Sequence, residues 1–88
     1  MSGPRRRDSV QTEEVPETGE AVLLAAEAGR VLALNAAGAA VWQLLDGSHS
    51  PAQIAAALAA AAGIAPEVAA RDVEALLARL SEEGFLEG

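Results

Sequence analysis

The sequence contains no cysteine, no lysine and no tyrosine, and its only aromatic side chains are Trp42 and Phe85. Without cysteine there can be no disulfide and no thiolate metal site, so the fold cannot depend on oxidation. The single histidine, His49, cannot make a zinc ligand set with scattered acids. No stretch free of breakers reaches the ~20 apolar residues of a membrane-spanning helix; the nearest, Ile54 to Ala62, is short and mostly Ala. Positive charge is scarce as well. All six basic residues are Arg, against 13 acids, for a net charge of −7. Three of the Arg (Arg5, Arg6 and Arg7) sit at the N-terminus, so the remaining body carries about −10. Such a body repels phosphate backbones, and nucleic acid is not an expected partner. The start MSGPRRRDS has basic residues but no following apolar region, so it does not read as a secretory signal and a cytoplasmic address is expected.

What is present suits one small domain. The chain has 88 residues, 51% of them apolar, which supports a single core and argues against disorder. Roughly a quarter of the chain is Ala, which forms helices readily but buries little area. The core must therefore rest on a limited set of larger side chains, from Val22 to Leu86.

Residues 1–8 read as a flexible N-terminal tail, with Gly, Pro, three Arg and no apolar anchor after Met1. Residues 9–88 read as the domain. Ser9 to Val15 is a weakly marked strand and Pro16 to Gly19 a turn. Glu20 to Ala26 and Arg30 to Leu34 read as two strands joined by a tight reversal at Glu27–Gly29. Alternation puts Val31 and Ala33 on one face and Leu32 and Leu34 on the other, both apolar. Only one face can meet the helices, so the other is expected to be partly uncovered.

Asn35 is an N-cap for a helix from Ala36 to Leu45, ended by Asp46-Gly47. Ser50-Pro51 starts a second helix that Gly63 stops near Ala62. Pro66 starts a third, to about Glu83, in which Val73, Leu76, Leu77 and Leu80 form an amphipathic stripe. Gly84 is its expected cap, and Phe85-Leu86 a final anchor. Three strands followed by three helices make an α+β fold.

Nothing in this pattern points to catalysis. His49 lies beside Ser48 and Ser50 in a turn, where neighbours rarely acquire nucleophile–base geometry. No calcium loop or phosphate-binding glycine pattern is present. Gly38, early in a helix at a cost of about 1 kcal/mol against Ala, reads as a close approach to a strand. Trp42 on its helical stripe reads as core. The chain is therefore expected to be a binding protein without cofactor or metal. An edge strand offers unpaired N–H and C=O groups to an extended peptide, and the third helix beside it would complete a groove. Arg71 or Arg79 would help set register. An acidic scaffold for a folded partner and a winged-helix DNA binder are the competing readings, the latter disfavoured by charge.

Three segments in this order, RVLALNAAGAAVWQLLDG, SHSPAQIAAALAAAAG and RDVEALLARLSEEGFL, resemble the PqqD-like family over about residues 15 to 87. The resemblance implies a winged-helix-like fold with a three-stranded antiparallel sheet followed by three helices. It also implies a recognition element for ribosomally made, post-translationally modified peptides (RiPPs). Such an element binds the leader segment of a precursor as an added strand and presents it to a radical-SAM enzyme, leader peptidase or cyclase. By position, the resemblance implies Arg30, Val31, Leu32 and Ala33 for the edge strand, and Asp72, Ala75, Leu76 and Arg79 for the helix wall. The run Leu34 to Gly47 is expected to support the sheet from behind, outside the binding site. A monomer or weak homodimer is expected, with no membrane contact.

Overall fold

The computed structural model describes residues 3–87. Met1 and Ser2, the start of the expected tail, lie outside the described residues. The sheet is a meander of β1 (Gln11–Val15), β2 (Glu20–Ala25) and β3 (Arg30–Leu34), in the order β1-β2-β3 and antiparallel throughout. Three helices follow: α1 (Ala36–Gln43), α2 (Pro51–Ala62) and α3 (Pro66–Glu82).

Alternation decides what each strand buries. In β2, Ala21, Leu23 and Ala25 point inward, and in β3 Leu32 and Leu34 do. Every residue of β1 is exposed, which is why its apolar signal is weak. A turn of 3-10 helix at Ala26–Ala28 joins β2 to β3, and Gly29 closes it at φ +66°, a left-handed conformation that favours glycine.

The helix starts are built locally. The Asn35 side chain accepts from the Gly38 N–H at 2.8 Å, and Ser50 with Gln53 forms a reciprocal capping box ahead of Pro51. The expected extension of α1 to Leu45 is not realised. The N–H groups of Leu44 and Leu45 donate to Val41 and Trp42, three residues back, so the chain tightens out of α-helix after Gln43. Leu45 nevertheless enters the core. After α3, Gly84 reverses the chain so that the Phe85 N–H returns to the Leu80 carbonyl, and Phe85 is fully buried.

Among the described residues the core is wholly apolar. Trp42, Phe85, Leu23, Leu45, Ile54, Leu80, Val41 and Val73 are its largest members. Trp42 satisfies its one polar group by donating Nε1–H to Thr12 Oγ1 at 3.0 Å.

The N-terminal segment departs from expectation. Gly3 N–H donates to Gly47, Arg6 N–H to Leu45, and Arg7 N–H to Phe85, while Glu87 N–H donates to Arg5. Arg6 Nη1 also reaches the Trp42 carbonyl and Arg7 Nε the Leu86 carbonyl. The physical reason is an excess of acceptors. The end of α1 and the final segment present carbonyls without helical donors, and the backbone and guanidinium groups of residues 3–7 satisfy them.

Candidate functional site

α3 packs mainly against α2, so a groove remains between α3 and the edge of β3. The groove has a volume of about 410 Å³, within the size range of ligand sites. Strand β3 pairs with β2 on one side only, and alternate residues along its other side direct N–H and C=O groups outward.

Five of the eight residues named from sequence meet here. Ala33 lies on the strand side, and Asp72, Ala75, Leu76 and Arg79 form the helix wall. On α3, Asp72 and Arg79 are seven residues apart and so share a face, ~10.5 Å apart along the axis. Ala75 is small and Leu76 half-buried, so the wall between the two charges is apolar. Arg79 Nε donates to Glu83 at 2.9 Å, which orients the guanidinium along the helix.

The other three named residues are placed differently. Arg30 and Val31 belong to the same edge strand but lie beyond the groove lining. The Leu32 side chain points into the core, so only its backbone could meet a ligand. Arg71 is not among the lining residues.

The expectation that the Leu34 to Gly47 run stands outside the site needs correction. Leu34, Asn35, Ala37, Gly38 and Val41 line the groove, because the strand passes into α1 after a single residue and the first turn of α1 closes the groove's end. Leu58 and Ile64 complete the floor. Gly38 was the available signal. A Cβ there would lie 3.3 Å from Asn35 Oδ1 and 3.4 Å from Leu34 Cβ, so the close approach to β3 inferred from sequence is present. What sequence did not reveal is that the approach borders a cavity.

The turn at His49 is not arranged for nucleophilic catalysis. Asp46 Oδ1 accepts from Ser48 N, Ser48 Oγ and His49 Nδ1. Ser48 Oγ also lies 3.2 Å from that same Nδ1. A triad needs the two imidazole nitrogens on different partners, whereas here one nitrogen faces both. The Ser48 hydroxyl and backbone N–H hold the Asp46 carboxyl well below the usual carboxylate range. Among the described residues, no group of three potential ligands could hold a metal ion, and no helix is long and apolar enough to cross a membrane.

A three-stranded antiparallel sheet, three helices behind it and a groove at the open strand edge define a winged-helix-like α+β domain of the recognition type. The chain belongs to the coenzyme PQQ synthesis protein D (PqqD) family, whose model matches residues 20–86. Its structure is similar to that of TbiB1, solved in complex with the TbiA(beta) leader peptide. The TM-score is 0.82 at 28% identity, covering 96% of this chain and 95% of that one. It is also similar to the solution structure of the PqqD truncation of Methylobacterium extorquens PqqCD, described as a functional, stand-alone RiPP recognition element. There the TM-score is 0.76 at 30% identity, covering 97% of this chain and 88% of that one. No curated protein sequence matches significantly.

Proposed function

We propose that this chain is a non-catalytic recognition element that captures the leader segment of a ribosomally made precursor peptide as an added β-strand. The observation that carries this reading is the open edge of β3 facing α3 across an apolar-floored groove. The leader's backbone pairs with the free groups of β3. Its alternate side chains then point toward the groove floor, where Val41, Leu58 and Ile64 exclude water. Asp72 and Arg79 fix the strand's placement along α3. Arg30, Val31 and the Leu32 backbone extend the pairing beyond the groove, with Ala33 at its centre. That TbiB1 was solved with a leader peptide supports the reading.

Bound this way, the leader is held while the remainder of the precursor stays free for a radical-SAM enzyme, leader peptidase or cyclase. The element itself needs no cofactor and works in the cytoplasm. Residues 9–88 form the recognition domain, and the arm before them closes its far end.

The test is calorimetric titration with leader peptides synthesised from the short open reading frames found around this chain's gene. Micromolar or tighter binding is expected, with loss in Val31→Pro, which crowds the edge and removes an N–H. Leu76→Glu, which places a charge at the groove wall where Leu76 packs against the core, gives an independent check once circular dichroism shows the variant folded. Unchanged affinity in a folded Val31→Pro variant and in Leu76→Glu would refute strand addition at this edge.

A further inference from the structure

The sheet has a second surface that the core does not use and that the groove borders only at Ala33. Among the described residues, four of the five large exposed apolar side chains, Val15, Val22, Leu24 and Val31, lie on its outer face, and Val31 is 66% exposed. The pairing makes most of them contiguous, since Leu24 stands opposite Val31 and Val22 opposite Ala33. On the other side Glu13 stands opposite Val22 and Glu20 opposite Val15, so the apolar strip has an acidic border. Exposed apolar patches bordered by charge mark contact surfaces.

We infer that this outer sheet face is the docking surface for the enzyme that acts on the captured peptide. The inference rests on the strand-addition reading above. Two features select this occupant. The first is charge: the acidic border in an acidic body repels a second copy and fits an apolar patch flanked by Arg or Lys. The second is size. Three strands of five or six residues present about 250 Å², far below the ~800 Å² per partner of a stable interface. That suits a contact completed by something else. A peptide strand added at β3 widens the same face, and its outward side chains continue the strip formed by Leu24 and Val31. The enzyme thus meets a larger surface on the loaded protein than on the empty one. Peptide and enzyme bind with positive coupling, and each raises the other's affinity by the same factor.

The experiment measures two affinities for the full chain, one for the leader peptide that titrates as above and one for the purified enzyme that processes the precursor carrying that leader. Leu24→Glu and Val22→Glu point to solvent and leave core and groove intact, which circular dichroism checks. Each variant is expected to weaken enzyme binding by about tenfold or more while peptide affinity stays within about twofold, and saturating peptide tightens enzyme binding to the wild type. Unchanged enzyme binding in both variants overturns the inference. So does a wild-type dimer that Leu24→Glu converts to monomer in sedimentation, because a second copy then occupies the face. Failure of the wild type to bind the peptide at all refutes the strand-addition reading itself, and the docking inference with it.

Discussion

The Arg6 guanidinium lies over the Trp42 ring, 5.8 Å from its centroid, while Nη1 donates to the Trp42 carbonyl at 3.0 Å. One side chain therefore covers the largest core residue and caps the end of the helix that carries it. A positive charge at a helix C-terminus is favourable, and a half-buried cation over indole adds to it. Arg6→Ala is expected to cost about 1–2 kcal/mol. A lower urea midpoint at unchanged slope would show it. Arg6→Lys should recover part of the loss, since an ammonium can sit over the ring but lacks the planar fork.

At the edge of the same indole, Thr12 Oγ1 accepts from Nε1. Thr12→Val keeps the strand propensity and shape but leaves the indole donor without this partner. A loss of about 1 kcal/mol or more is expected in thermal or chemical unfolding. The same loss with Thr12→Ser would show that the hydroxyl is not what matters.

Gly38 sits where α1, β3 and the groove meet. Gly38→Ala gains about 1 kcal/mol of helix propensity. Against this stand the contacts at 3.3 and 3.4 Å that the new methyl would make. Stability should therefore change little, while a larger side chain, as in Gly38→Val, fills the groove and weakens peptide binding by about tenfold. Calorimetry and a melting curve on the same samples separate the two effects.

The Asp46 carboxyl titrates below the usual carboxylate range because Ser48 donates two hydrogen bonds to its charged form. A depressed folded-state pKa stabilises the protein above the unfolded value, and that contribution is lost as pH falls through the acid range. Stability should thus decline below pH ~4, and Asp46→Asn should flatten part of that decline, being less stable than the wild type near neutrality and converging with it in acid. Urea midpoints between neutral and acid pH would reveal it, and an identical acid profile in the variant would exclude a role for this turn.

Most of the fold was legible from local chemistry. Asn35, Ser50-Pro51, Gly63 and Pro66 mark helix ends because caps and breakers act within a few residues. Strand β3 was read from its alternation, and the buried Leu32 and Leu34 and exposed Val31 follow that period. Strand β1 was faint because its side chains are all exposed, and α1 ran short because its last two expected residues make tighter bonds. At the groove, Asp72, Ala75, Leu76 and Arg79 were named through the resemblance to the PqqD-like family, not from the helix periodicity.

By itself, the sequence determined the element order, most helix ends, the acidic character of the chain and most of its apolar core, although Val22, Leu24 and Val31, expected in that core, are exposed. These depend on neighbours a few residues apart and on composition. Only the tertiary structure decided that residues 3–7 are docked, that the start of α1 borders the groove, and that four large apolar side chains share an open sheet face. Each of these joins segments far apart in the chain. No local periodicity records that α3 leans on α2 and so leaves the edge of β3 free.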